Sequence, residues 1–126
     1  MHQKTAISAY LRSLMTEKRY ITVILPLKLD WEPCYSTASE LKIGDRVRVM
    51  FSGKEYIGVV SAAGISPDIS PEKIRPIVSE ESALGKILPQ EIELWKKVAQ
   101  YYMCTTGEVY RAAYPAGKIN LEEARA

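Results

Sequence analysis

Residues 94–115, LWKKVAQYYMCTTGEVYRAAYP, leave the chain little freedom. Leu88, Ile92, Trp95, Ala99 and Tyr102 recur at i, i+4, i+7, i+11 and i+14, the spacing of one helix face. Leu94, Val98 and Tyr101 widen that stripe, while Glu91, Glu93, Lys96, Lys97 and Gln100 fill the wet side. Thr105-Thr106-Gly107-Glu108 then has the form of a capping box. The Thr105 hydroxyl can accept from the free amides of a new helix, and Glu108 can reach back to Thr105. The second helix carries Val109, Tyr110, Ala112 and Ala113 and stops at Pro115, which cannot continue it. Two helices joined by so short a turn read as a lid over a core.

The core they cover is predicted to be β-sheet. Residues 20–25 are rich in β-branched side chains, put Ile21, Val23 and Leu25 on one face, and end at Pro26. Residues 27–39 are expected to be irregular, because Pro26 and Pro33 interrupt regular structure and Asp30, Ser36, Thr37 and Ser39 favour turns. Trp31 and Tyr35, the large apolar groups there, are expected to plug the core. Residues 41–45 lead into a hairpin, in which Val47, Val49 and Phe51 alternate with Arg46, Arg48 and Met50. The turn is Ser52-Gly53-Lys54-Glu55 and residues 56–62 return, with Gly58 as a bulge or a point of close approach. Arg46 and Arg48 are expected on the solvated face. Residues 64–71 form a loop, and residues 73–78 a short edge or bulged strand, since Pro76 lies inside it.

Residues 1–18 read as an N-terminal extension, with Ile7, Tyr10, Leu11, Leu14 and Met15 at the spacing of a short amphipathic helix. Residues 19–117 are the expected domain and residues 118–126 an exit tail or linker. A start at Met15 would place the first strand close to the N-terminus, so residues 1–14 are expected to be dispensable.

Composition excludes more than it assigns. The 126 residues suffice for one domain with a real core. A net charge of +2 means that any basic surface is local. Cys34 and Cys104 make neither a metal site nor a disulfide framework, and no apolar run approaches the roughly 18 residues of a membrane span. A cytoplasmic chain with no membrane partner is expected. The one histidine, His2, supports no triad or metal cluster, and no phosphate-binding G-x-x-x-x-G-K-[ST] loop occurs. The chain alone is expected to be no enzyme and to carry no cofactor. What remains is a set of loop aromatics (Trp31, Tyr35, Tyr56) among cations (Lys28, Arg46, Arg48, Lys54, Arg75). Aromatics that stack bases and cations that hold phosphates are the elements of single-strand binding.

The same residues carry a resemblance. An aromatic helix ending in Tyr101-Tyr102, then Cys104-Thr105-Thr106-Gly107-Glu108-Val109-Tyr110, then Ala112-Ala113-Tyr114-Pro115, resembles the W-x-A-x-Y-Y … G-E-V unit of the primosomal protein N′ (PriA) replication-restart helicases. Val23-Ile24-Leu25-Pro26-Leu27 resembles that family's opening strand, residues 43–51 its G-x-R-V-x-V-P-F strand, and Tyr56-Ile57-Gly58-Val59-Val60 its return strand. The resemblance spans roughly residues 20–117 and implies a module that captures the 3′ end of the nascent leading strand at stalled forks. It further implies primosome proteins and single-strand-binding protein as partners. The ATP, Mg and Zn of the family belong to its motor and zinc-binding parts, whose motifs are not in these residues.

The family's pocket uses a Phe-Asp-Tyr run, a Gly after Pro-Phe and a later basic residue. Pro33, Cys34 and Tyr35 stand at the run here, so the Tyr alone is kept. Met50-Phe51-Ser52-Gly53 replaces Pro-Phe-Gly, and Arg75 stands where Lys is usual. The missing Asp removes an acceptor for which Asp30 or Glu32 can substitute. The resemblance thus implies DNA contacts at Cys34, Tyr35, Ser52, Gly53, Lys54 and Arg75. Tyr35 would support or stack the terminal base, Ser52 and Gly53 would allow close backbone approach, and Arg75 with Lys54 would neutralise phosphate.

The expected architecture is α+β: a small, curved, mostly antiparallel, barrel-like sheet capped by two C-terminal helices. One alternative is a protein–protein docking module presenting the helical unit and Trp31, with no direct DNA contact. Another, suggested by the Gly-Asp-Arg-Val-Arg-Val strand alone, is a small β-barrel of the translation type.

Overall fold

Val23, Val47, Val49, Val59 and Val60 are completely shielded from solvent, and each sits in an extended run where β-branched side chains pack well on a pleated surface. They organise the computed structural model, which describes residues 18–115. The helix expected in residues 1–18 and the tail expected in 118–126 lie outside the described residues, Lys18 excepted. Five strands form one sheet: β1 (Arg19–Ile24), β2 (Cys34–Thr37), β3 (Arg46–Phe51), β4 (Lys54–Ala63) and β5 (Ser79–Glu80). Their order is β2-β1-β4-β3-β5, with every neighbouring pair antiparallel. Two helices follow, α1 (Pro89–Tyr102) and α2 (Thr106–Ala113). The α+β reading with a curled antiparallel sheet and two C-terminal helices holds.

The curl is closed by main chain. Residues 75–81 run between β2 and β3. Ser36 N donates to Arg75 O (2.9 Å) and Ile77 N to Ser36 O (2.9 Å) on one side. Val78 N donates to Arg48 O (2.7 Å) and Glu81 N to Arg46 O (2.9 Å) on the other. The strand expected over 73–78 is in fact a single 3-10 turn (Pro71–Lys73), one parallel bridge from Pro76 to Ser36, and the short β5. Pro76 has no N–H to give, so regular pairing breaks there.

Residues 27–39 are less irregular than their composition suggests. β2 pairs with β1 in the register Ile21↔Tyr35 and Thr22↔Cys34. The β3–β4 turn is also tighter than expected: Phe51 faces Lys54, and Ser52 and Gly53 alone make the turn, so Lys54 and Glu55 are already strand. Gly58 proves to be a close approach, since a Cβ there would collide with the Val23 side chain. The irregularity in the β1–β4 ladder falls at Ser61 of β4, which is left over between the pairs Thr22↔Ala62 and Val23↔Val60.

Alternation divides the core in two. Ile21, Val23, Leu25, Tyr35, Leu41, Val47, Val49 and Val60 fill the inside of the curl. Ile24 and Val59 face outward against Ile87, Ile92, Trp95 and Tyr110. Each such fully buried side chain contributes about 1.5–3 kcal/mol. The helical stripe is narrower than its spacing implies: Ile92, Trp95 and Ala99 are buried, whereas Leu88, Leu94, Tyr101 and Tyr102 are exposed. Leu88 is the N-cap, and α1 ends with Met103 in the left-handed region (φ 56°), so the stripe leaves the sheet at both ends.

The capping box forms as expected. Thr105 N donates to Glu108 Oε1 (2.9 Å) and Glu108 N to Thr105 Oγ1 (3.3 Å). Trp95 stacks on Tyr110 with centroids 5.2 Å apart, and the Tyr110 hydroxyl donates to Ile57 O (2.8 Å), fixing α2 to β4. Among the described residues no helix is long and apolar enough to cross a membrane.

Candidate nucleic-acid interface

The turn between β3 and β4 is both tight and exposed. Ser52 (φ 50°) and Gly53 (φ 81°) both occupy the left-handed region, as a two-residue hairpin turn with the twist of its strands demands. Both are exposed, as is Lys54. A Cβ on Gly53 would meet nothing within 4 Å, so the glycine is required by its φ and the space over it is open to a ligand.

Tyr35 ties this turn to Arg75. Its ring is core, 4% exposed, and its hydroxyl donates to Met50 O (2.8 Å), two residues before the turn. Burial pushes the phenol pKa up, and the neighbouring charge of Arg75 pulls it back down. The next residue, Ser36, donates its amide to Arg75 O, while the Arg75 side chain is exposed. Tyr35 thus links β3 just before the turn to the segment that carries Arg75. Among the described residues neither Lys54 nor Arg75 enters an ion pair.

Other candidates are placed elsewhere. A buried ring has no face to offer a base, so Tyr35 can support the turn but cannot stack. Cys34 alternates to the opposite face of β2, half-buried, with its thiol pKa raised by burial and then by Asp68. Arg46 and Arg48, expected on the solvated face, are both engaged. The Arg46 guanidinium lies over the rings of Tyr110 (5.7 Å) and Tyr114 (5.2 Å), with its buried Nε without a hydrogen-bond partner. Arg48 binds Glu81 (3.0 Å) and Glu55 (3.3 Å). Ser79 and then Arg48 donate to the Glu81 carboxylate and lower its pKa. Tyr56 is half-buried against the inner core.

Trp31, expected to plug the core, is 54% exposed. It leans on Phe51, with centroids 5.9 Å apart, at the mouth of a cleft of about 570 Å³ between the β1–β2 loop and the helices. Asp30, Glu32, Lys96, Gln100 and Thr105 also line it. Glu32 is held in place: Ser61 Oγ donates to its Oε1 (2.6 Å), and Ser61 hydrogen-bonds Thr22 (2.7 Å). Sequence reasoning missed this cleft. The available signal was Thr22 and Ser61, two hydroxyls on outward positions of strands that become neighbours.

Among the described residues no group of three or more His, Cys, Asp or Glu is placed to hold a metal. A curled sheet with an open tight turn and two exposed cations, unpaired among the described residues, has the surface chemistry to meet a polyanion. A family model for the 3′DNA-binding domain (3′BD) of PriA matches residues 22–115, most of the chain, and the chain belongs to this family. Residues 22–115 are thus a 3′-DNA-end-binding domain of the PriA kind. No curated protein matches the chain.

Proposed function

We propose that the end of the curl formed by Ser52, Gly53, Lys54 and Arg75 holds a DNA 3′ terminus. The observation that carries this is the exposed left-handed turn beside Lys54 and Arg75, two exposed cations without ion pairs among the described residues. An open backbone lets a strand end approach closely, and the cations take its phosphates. Tyr35 keeps turn and cation in register from beneath.

The physiological ligand in this reading is the 3′ end of the nascent leading strand at a stalled fork. The domain would serve a cytoplasmic replication-restart helicase in replication and repair, alongside primosome proteins and single-strand-binding protein. Residues 19–117 act as the unit, and their role is binding without catalysis.

The test is binding of the chain to a fork with a free 3′ end, measured across a salt series. The doubly substituted Lys54→Ala, Arg75→Ala protein should bind more weakly. Its log K against log salt should be shallower by about 0.7 for each phosphate that the protein no longer neutralises. Blocking the 3′ hydroxyl with phosphate should weaken the wild type. Unchanged affinity and slope in a correctly folded double variant would refute this placement.

A further inference from the structure

We propose that the cleft beside Trp31 docks a protein partner, with Trp31 and Glu32 receiving an arginine that the partner presents beside an apolar side chain. This second surface is additional to the end-binding reading and does not rest on it.

The site starts from the bulge in β4. Ser61 is left over between the pairs Thr22↔Ala62 and Val23↔Val60, and a bulged residue re-aims its side chain out of the regular ladder. Its hydroxyl meets Thr22 Oγ1 (2.7 Å) on the neighbouring strand and Glu32 Oε1 (2.6 Å) in the β1–β2 loop. Ser61 has one proton and gives it to Glu32, so Thr22 is the donor to Ser61. Two hydroxyls in series thus fix an exposed carboxylate, and its Oε2 is the acceptor offered to a partner. Beside it stands Trp31, 54% exposed and propped by Phe51 at 5.9 Å. Leu29 and Ala99 add apolar wall to a volume of about 570 Å³.

Charge selects the occupant. The whole chain is net positive, +2, yet the charged side chains in this lining are Asp30, Glu32 and Lys96. Lys96 is drawn to Glu93, 3.6 Å away. The cleft therefore runs against the sign of the chain, repels phosphate and attracts a cation. An indole face next to a carboxylate favours arginine over lysine, because a planar guanidinium stacks on a ring and meets a carboxylate with two parallel N–H bonds. The lip supplies the apolar contact. Met103 lies in the chain between Gln100 and Cys104, which both line the cleft, and is 92% exposed. It sits at φ 56°, in the left-handed region where a helix commonly ends on glycine. A methionine there is held outward at a conformational cost, and its flexible thioether adapts to apolar side chains of varied shape.

The test uses the intact chain and a capped pentapeptide with one arginine between two leucines. A twin peptide carries citrulline, which keeps the shape and loses the charge. Binding is read from the emission and the indole N–H resonance of Trp31, with Trp95, 3% exposed, as the internal reference. The arginine peptide should shift the Trp31 signals and bind roughly 10- to 150-fold more tightly than its twin, the range for a hydrogen bond to a charged group. Glu32→Gln should abolish that difference by weakening the arginine peptide alone. Ser61→Ala should remove part of it, since Glu32 is then less firmly placed. Glu40→Gln, at an exposed carboxylate outside the cleft, should change nothing.

The Lys54→Ala, Arg75→Ala protein should bind the peptide as the wild type does, so either reading can fail without the other. Equal binding of the two peptides by the wild type would overturn the site, as would equal losses in Glu32→Gln and Glu40→Gln. A shift of the Trp31 signals by an oligonucleotide with a free 3′ end, and by neither peptide, would assign the cleft to DNA and likewise overturn it.

Discussion

Gly107→Ala tests how the helical unit is seated. In an ordinary helix this change stabilises by roughly 0.5–1 kcal/mol, because alanine loses less backbone entropy. Gly107 is buried in the first turn of α2, directly over the exit of β1. A Cβ there would lie closer than 3.0 Å to both the Leu25 and the Leu27 carbonyl oxygens, with Leu27 N at 3.2 Å. Backbone carbonyls cannot rotate aside as a side chain can. α2 must therefore lift, loosening the Trp95–Tyr110 stack and the Tyr110–Ile57 hydrogen bond behind it. Overpacking of this kind costs about 1–3 kcal/mol and sometimes more, which outweighs the propensity gain. A net loss of about 2 kcal/mol is expected. Urea unfolding should show it as a midpoint lowered by roughly 1–2 M at unchanged m. A midpoint equal to or above the wild type would mean that α2 does not rest on these carbonyls, and the packing described here would be wrong.

Three further outcomes are expected. Thr105→Ala removes the hydroxyl that caps α2 and should cost about 0.5–2 kcal/mol in urea unfolding; a midpoint equal to the wild type would refute the cap. The Thr105 amide and then its hydroxyl donate to Glu108 and hold its carboxyl pKa below the ordinary glutamate value. A folded pKa below the unfolded one gives stability that is present above the unfolded value and lost as pH falls through the folded value. The Tm of the wild type should therefore decline below about pH 4.5, and Glu108→Gln should flatten that decline; an identical slope would refute the assignment. Deleting residues 1–14 should leave both Tm and end binding unchanged, and a melted domain would refute their dispensability.

Much of this architecture was legible in the chain, because its signals are local. Val47, Val49 and Phe51 alternate against Arg46, Arg48 and Met50 within one hairpin. Thr105 and Glu108 find each other within one helical turn. What was hidden depends on distant partners. Cys34 to Thr37 read as loop beside Pro33, and only pairing with β1 makes them strand. Period alone gives the direction of a helix face but not its width, so Leu88, Leu94, Tyr101 and Tyr102 share the spacing of the stripe without sharing its burial. Arg46 read as a solvated charge, because nothing at residue 46 announces Tyr110 and Tyr114. The candidate surface divides by the same rule. The turn and its cations were visible in sequence, whereas the fates of Tyr35 and Trp31 diverged, since which of two nearby aromatics turns inward is decided by the register Ile21↔Tyr35.

The seam between Ser36 and residues 75–77 joins parts of the chain that must search a long contour before they meet. Hydrogen bonds from two amides hold it, against whole ladders elsewhere. Such a joint forms late and parts first. Deuterium should enter at Ser36 and Ile77 long before it enters at Val59 or Val60, and a captured strand end, gripping Arg75, would slow that entry by acting as a clasp across the gap.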